Sequence, residues 1–156
     1  MPFFLAGGAA RCGGRGELVT PLAVPPPGWP LLLVKPPFGV ATPWAYRAYA
    51  AASQPAAADI PGGGRDAASV KLDGWTLVND LEPPVFRKFV ILAELKRWLA
   101  GQPESRAALM SGSGSTVFAV LAADADHHAL AGRVAAEYGD TFQCLPTRIA
   151  QPAASA

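Results

Sequence analysis

The chain has 156 residues, of which 51% are hydrophobic and only 16% are charged, and its formal net charge is +1. This length fits one ordinary domain, or one small domain with a fragment of a second, and the apolar content is sufficient for a buried core. The near-neutral charge leaves no basic stripe for a phosphate backbone, which excludes nucleic acid as an expected partner.

The cysteines and the N-terminus indicate a cytoplasmic protein. Cys12 and Cys144 lie far apart and match no metal-ligand or redox spacing, so we interpret both as reduced thiols. The first residues, MPFFL, are apolar but too few for a signal peptide or a membrane span, and no basic residue precedes them. No membrane segment is therefore predicted, and a start within an apolar run indicates a start inside a domain.

The first third of the chain contains signals for two strands and a helix. The segment GELVTPL at 16–22 alternates polar and apolar residues between glycines and prolines, which favours a strand. The continuously apolar run LLLVKP at 31–36 predicts a strand that is buried on both faces. Thr42 and Pro43 suit the N-cap and the first position of a helix at 44–52.

The middle of the chain combines an irregular segment with two predicted helices. Residues 53–74 are rich in Ala, Gly, Pro and Asp, which predicts a surface loop of low order. The segments 79–89 and 91–101 are predicted as helices, and Asp80 can cap the first of them. An apolar stripe in the second predicts packing against a sheet.

The last third of the chain completes a recognisable order of elements. Two short strands are predicted on either side of SGSGST at 111–116, the second of them TVFAVLA at 116–122. An amphipathic helix from about Asp126 to Tyr138 and a strand at 141–149 follow. Counted from Leu31, this is the split βαβ order, so we predict an α+β fold in which an antiparallel sheet carries helices on one face.

The SGSGST segment is the main candidate for chemistry. The glycines at 7–16 lack the following helix of a dinucleotide site, and no GxxxxGK[ST] motif occurs. Alternating Gly and Ser permit positive φ, so that consecutive amides can form an anion nest and the hydroxyls add donors. The alternative is a flexible hairpin loop without a ligand. The candidate residues are Ser111, Gly112, Ser113, Gly114, Ser115 and Thr116.

Aromatic and histidine residues give weaker signals. Trp44, Tyr46 and Tyr49 lie on the predicted helix, where they either pack against the sheet or offer a stacking platform for a planar base. His127 and His128 follow acidic residues at a helix start and have no third ligand at useful spacing. No metal site is predicted.

Five segments, in order over nearly the whole chain, together carry a family resemblance: MPFFLAGGAARCGGRGELVTPL, VKPPFGVATPWAYRAY, NDLEPPVFRKFVILAELKRWL, ALMSGSGSTVFAV and YGDTF. They resemble the C-terminal half of the 4-diphosphocytidyl-2-C-methyl-D-erythritol kinases, a family of the GHMP kinase group. The resemblance implies a transferase that uses ATP with Mg²⁺ to phosphorylate a hydroxyl of a small CDP-linked substrate in the non-mevalonate route to isoprenoids.

The resemblance also implies residue roles and domain limits. SGSGST corresponds to the family's third motif, a glycine-rich loop that borders the active site. Thr42 corresponds to a threonine near the substrate and Tyr46 to an aromatic residue that stacks on cytosine, with Trp44 as the alternative. The domain limits are then 1–28 for a remnant of the N-terminal ATP-binding domain, 29–150 for the GHMP kinase C-terminal domain, and 151–156 for a frayed tail.

The departures from the family concern the catalytic machinery. The family's catalytic aspartate would fall one residue before Met1, and the phosphate loop that holds ATP and the strand with its lysine are missing from this sequence. We therefore expect no catalytic residue in this chain and no useful activity from it alone, as for a truncated kinase. The alternative is a non-catalytic nucleotide- or partner-binding module, for which a separate N-terminal half is one possible partner.

Overall fold

A computed structural model describes residues 9–14, 16–22, 28–52 and 69–149. Residues 53–68 of the predicted loop at 53–74, the tail at 151–156 and the apolar N-terminus lie outside the described residues. Contacts divide the chain into two units. The larger unit is Pro30–Thr147, and the smaller one consists of Met1–Trp29 and Arg148–Ala156.

The smaller unit contains a two-stranded antiparallel hairpin. β1 (Ala10–Gly13) pairs with β2 (Leu18–Pro21), with Gly13 opposite Leu18. β2 lies within the predicted strand at 16–22, whereas β1 was not predicted because it falls in the glycine-rich region. In the same unit, the amide of Ile149 donates to the Trp29 carbonyl at 3.0 Å.

The larger unit has the strand order of a split βαβ fold. Its main sheet is ordered β6-β7-β3-β8, and the β6–β7 and β7–β3 pairs are antiparallel. A separate antiparallel hairpin consists of β4 and β5. The predicted fold class is therefore confirmed. From Pro30 onward the elements are β3 (Pro30–Lys35), α1 (Thr42–Ala52), β4 (Ser69–Leu72), β5 (Trp75–Val78), α2 (Glu82–Lys88), α3 (Val90–Ala100), β6 (Ser105–Met110), β7 (Val117–Leu121), α4 (His127–Tyr138) and β8 (Gln143–Arg148).

The core lies between one face of the main sheet and the four helices. All four helices contribute fully buried apolar side chains to a single cluster with alternate residues of β3 and β7. In β3, Leu32 and Val34 are fully buried, while Leu31 and Leu33 between them are only half-buried. The prediction that this strand is buried on both faces is therefore wrong. The described helices cover the face that carries Leu32 and Val34. The opposite face, which carries Leu31 and Leu33, is only partly buried, although its residues are apolar.

The β4–β5 hairpin contradicts the predicted loop at 53–74. Its two-residue turn consists of Asp73 and Gly74, which have φ values of 49° and 80°. Two successive positive φ angles are typical of a type I′ turn, for which Asp-Gly is a preferred sequence. The low-complexity composition upstream concealed this local signal.

The start of α2 also differs from the prediction. The helix begins at Glu82, and Asp80 does not cap it. Instead, the Oδ1 atom of Asn79 accepts a hydrogen bond from the amide of Leu81 at 3.0 Å. Asn79 therefore supports the first turn, which leaves its amide nitrogen free to bond elsewhere.

Candidate functional site

The segment Ser111–Thr116, called the glycine turn below, joins β6 to β7 as a compact reverse turn. The amide of Ser111 donates to the carbonyl of Thr116, and the amide of Gly114 donates to the carbonyl of Ser111, both at 2.9 Å. Gly112 and Gly114 have φ values of 54° and 84°, which residues other than glycine rarely adopt. The prediction that this segment connects two strands is confirmed by the β6–β7 pairing.

Gly114 is required for space as well as for conformation. A β-carbon at this position would lie 2.8 Å from the Met110 sulfur and 3.6 Å from a Leu92 methyl group. At Gly112 the same substitution would meet nothing within 4 Å. The inner side of the glycine turn is therefore packed on the core, while its tip at Gly112 is open.

A lysine anchors the β7 end of the glycine turn. Ser115 is only 2% exposed, and its hydroxyl donates to the carbonyl of Phe38 while accepting from Lys35 Nζ at 2.8 Å. The same ammonium group donates to the carbonyls of Phe38 at 2.6 Å and Pro36 at 3.2 Å. The expectation that every hydroxyl of SGSGST adds a donor for a ligand is therefore wrong for Ser115, because its hydroxyl is occupied inside the fold.

A second anchor holds the β6 end. Asn79 Nδ2 donates to the carbonyls of Met110 and Gly112, at 2.7 and 2.9 Å. Glu82, which is 2% exposed, accepts from the amide of Met110 at 2.7 Å and from Lys96 Nζ at 2.5 Å. No role was predicted for these residues or for Lys35. The one available signal for Glu82 is that it is a charged residue at a helix position whose neighbours are apolar.

Thr42 contacts the tip of the glycine turn. The structure starts α1 at Thr42 and brings its hydroxyl within 2.9 Å of the hydroxyl of Ser113, 71 residues away in sequence. The predicted N-cap role is not observed, since the amides of Trp44 and Ala45 bond to the carbonyl of Ala41. Thr42 thus faces the glycine turn, and the contact is exposed to solvent.

The three aromatic residues of α1 occupy different environments. Tyr46 is 59% exposed and follows Thr42 by four positions, which places both on the same helix face. Trp44 is half-buried and packs edge-on against Phe89, with 5.5 Å between ring centroids. Lys88 Nζ lies 4.4 Å from the Trp44 centroid, so both the edge and a face of this ring are already in contact with protein. Tyr49 is half-buried against the core.

The tip of the glycine turn has unsatisfied donors. Within the described part of the chain, the amides of Gly112 and Ser113 donate to no protein acceptor. They follow one another at a position of positive φ and lie beside the Thr42–Ser113 hydroxyl pair. Consecutive free amides with adjacent hydroxyls can bind an anionic group such as a phosphate oxygen.

An open depression of about 370 Å³ lies on the other side of the Lys35 anchor. Its lining does not include Thr42, Trp44, Tyr46 or the glycine turn. We therefore assign no ligand to it. The lining residues are Lys35, Pro36, Pro37, Phe38, Gly39, Thr141 and Gln143.

The described ranges contain neither a metal-binding cluster nor a membrane-spanning helix. Among these residues, no three His, Cys, Asp or Glu side chains converge in a way that could hold a metal ion. His127 and His128 lie at the start of α4, where Asp126 caps the helix by accepting from the amides of His128 and Ala129 at 3.0 Å. No described helix is both long enough and apolar enough to cross a membrane.

Sequence relatives of the chain agree in their names. Three of them are named 4-diphosphocytidyl-2-C-methyl-D-erythritol kinase. The relative from Methylacidiphilum infernorum is 38% identical over 121 residues, covering 78% of this chain and 39% of its own length. The relative from Cereibacter sphaeroides is 38% identical, with 88% and 50% covered, and that from Pelotomaculum thermopropionicum is 41% identical, with 97% and 52% covered.

A solved structure and a family match place the similarity in one part of the kinase. The crystal structure of a 4-(cytidine 5'-diphospho)-2C-methyl-D-erythritol kinase superimposes with a TM-score of 0.61 at 34% identity, covering 96% of this chain and 53% of that one. The chain thus spans about half the length of the relatives it matches or less. Residues 68–143 match the family GHMP kinases C terminal. Residues 68–143 of this chain therefore carry the sequence features of a GHMP kinase C-terminal domain.

Proposed function

We propose that this chain is the substrate-binding part of an ATP-dependent kinase that phosphorylates a hydroxyl of 4-diphosphocytidyl-2-C-methyl-D-erythritol. This reaction belongs to the non-mevalonate route to isoprenoids, and we propose that it takes place in the cytoplasm. The names of the relatives support the substrate, and the free thiols of Cys12 and Cys144 are consistent with the compartment.

The contact between Thr42 and Ser113 is the observation that carries this proposal. The family resemblance assigns Thr42 to the substrate and the glycine turn to the wall of the active site. The two hydroxyls lie 2.9 Å apart although no feature of the local sequence requires it. Their hydroxyls and the amides of Gly112 and Ser113 supply neutral donors suited to a hydroxylated, phosphate-bearing substrate.

Tyr46 is the better candidate of the two aromatic residues for stacking on the cytosine ring. It shares a helix face with Thr42, and its ring is 59% exposed. Trp44 lies two positions from Thr42, and its ring already contacts Phe89 and Lys88. A base that stacks on Tyr46 would gain about 1–3 kcal/mol, as aromatic platforms in nucleic-acid-binding proteins do.

ATP and Mg²⁺ require residues from elsewhere. The described residues do not fit a magnesium site, since no three potential ligands converge. By resemblance, the family holds ATP mainly through its N-terminal domain, which also supplies the catalytic aspartate as general base. Loss of a general base alone lowers a rate by about 10²–10⁴. We therefore propose that these 156 residues act together with an N-terminal ATP-binding half of the kind that the family resemblance implies.

A chimaera tests this proposal directly. The part of the Pelotomaculum relative that precedes its matched region is joined to this chain, and ADP release is measured with the CDP-linked substrate. We expect substrate-dependent turnover from the chimaera and a rate at least about 10²-fold lower from the 156-residue chain. Thr42→Val should lower kcat/KM by about three- to tenfold, the value of one hydrogen bond. The matched control is Thr147→Val on the exposed strand β8, which should change nothing.

The outcomes separate the two functional hypotheses. An inactive chimaera that folds and binds ATP would contradict the kinase proposal. Full turnover by the 156-residue chain would contradict only the inference that it needs an N-terminal half. Titration of the 156-residue chain with CMP adds the second comparison. Saturable CMP binding together with an inactive chimaera would favour the non-catalytic nucleotide-binding module.

A further inference from the structure

Met110, which precedes the glycine turn, has outward-facing backbone N–H and C=O groups that bond to side chains. β6 is an edge strand, because the sheet order begins with it. The amide of Ser111 points across to Thr116, so the N–H and C=O of the preceding residue, Met110, point to the open edge. Edge groups of this kind normally bond to water or to another strand. Here both bond to side chains of the segment Asn79–Glu82.

Asn79 binds the carbonyl of Met110, and Glu82 binds its amide. The amide nitrogen of Asn79 spans the first step of the turn, from the carbonyl of Met110 to that of Gly112. The carboxylate of Glu82 holds the amide of Met110, and Lys96 neutralises its buried charge. Meanwhile Asn79 Oδ1 accepts from Leu81, which ties the position of the side chain to the start of α2.

We propose that Asn79 and Glu82 are positioning residues which fix the glycine turn against the start of α2. Gly112 has nothing within 4 Å of its missing β-carbon, so hydrogen bonds and not packing must hold the tip of the turn. The bond from Asn79 to the Gly112 carbonyl is the contact that does this next to Ser113, whose hydroxyl meets Thr42. The consequence for catalysis rests on the proposed kinase function, whereas the ordering of the turn does not.

Asn79→Asp tests the proposal with little change in shape. The aspartate keeps an oxygen for the Leu81 amide but loses the nitrogen that donates to Met110 and Gly112. We expect the backbone order parameters of Gly112 and Ser113, measured by ¹⁵N relaxation on the 156-residue chain, to fall from about 0.85 to below about 0.6. The core should stay folded, because the helix start retains its hydrogen bond.

The matched control is Gln102→Glu, which makes the same change from amide to acid elsewhere. Gln102 Nε2 donates to the Trp98 carbonyl and its oxygen accepts from Arg133, so the glutamate keeps the acceptor and loses the donor. This variant should leave Gly112 and Ser113 ordered. Unchanged order in Asn79→Asp, or equal disorder in both variants, would overturn the proposal.

Kinetics of the chimaera give a second, separate measurement. Misplacement of a positioned group can cost up to about 10² in rate, so Asn79→Asp should lower kcat by more than it raises KM for the CDP-linked substrate. Glu82→Gln, which keeps an oxygen for the Met110 amide, should retain an ordered turn in the 156-residue chain. If the turn of Glu82→Gln is disordered while the core stays folded, the hydrogen bond from the Met110 amide is not sufficient to hold the turn. That result would contradict the proposal for Glu82 and leave it standing for Asn79. An inactive parent chimaera would refute the proposed function and leave the relaxation result intact.

Discussion

Lys96→Met provides the most direct test of the energetics at the glycine turn. Glu82 is 2% exposed and has two partners, the amide of Met110 and the ammonium group of Lys96, which is itself 16% exposed. Methionine keeps most of the length of the lysine side chain but leaves the buried carboxylate held by a single hydrogen bond. Removing one partner of a buried ion pair typically costs about 3–5 kcal/mol.

The expected loss is large enough to measure without ambiguity. For a protein of this size, about 3–5 kcal/mol corresponds to a fall of about 6–20 °C in Tm. Urea unfolding followed by circular dichroism gives the free energy of unfolding directly. The control is Arg133→Met, which breaks the Arg133–Glu104 pair, where the arginine is 40% exposed. Exposed pairs contribute about 0–1 kcal/mol, so this variant should change the free energy of unfolding little.

A double variant distinguishes loss of the ion pair from loss of packing. In Glu82→Gln with Lys96→Met, the uncompensated charge is removed while an oxygen remains for the Met110 amide. This double variant should be more stable than Lys96→Met alone. A Lys96→Met protein within about 1 kcal/mol of the parent would refute the argument that the buried charge of Glu82 depends on Lys96. A double variant no more stable than the single one would attribute the loss to packing.

Two further predictions concern the conformation of the glycine turn and the start of α4. Gly114→Ala and Gly112→Ala both place a side chain on a residue with positive φ, but only the new methyl group at position 114 would meet Met110, at 2.8 Å. Urea unfolding should therefore show that Gly114→Ala is less stable than Gly112→Ala by about 1–3 kcal/mol. Equal losses of stability in the two variants would contradict the packing argument. Hydrogen bonds from the amides of Ala129 and His128 lower the pKa of the Asp126 carboxyl below its ordinary 3.8. The ionised carboxylate therefore stabilises the folded chain above pH 3.8, and this stabilisation is lost as the pH falls through the lower pKa of the folded state. Asp126→Asn should therefore show a weaker fall in stability with acid, and an acid-unfolding curve as steep as the parent's would refute this.

Local patterns in the sequence predicted much of the architecture. Apolar periodicity and termination signals located α3 and α4, and α4 begins directly after Asp126, close to its predicted start. The order of elements predicted the split βαβ plan, because strands and helices of this length can bury their apolar faces in few ways. The β4–β5 hairpin was missed although its Asp-Gly turn is a local signal, since the composition of the preceding segment dominated the interpretation.

The geometry around the glycine turn was decided by tertiary structure. The turn could be found from its glycines, but its anchors join residues far apart in the chain: Lys35 and Ser115 are separated by 80 positions, Asn79 and Met110 by 31, and Thr42 and Ser113 by 71. Each bond depends on how a helix or strand packs on the sheet, which periodicity does not specify. From sequence alone SGSGST could be either an anion nest or a flexible loop. Packing at Gly114 and hydrogen bonds from distant side chains make it an ordered turn with a defined open tip, because the edge of β6 needs partners that only the folded chain supplies.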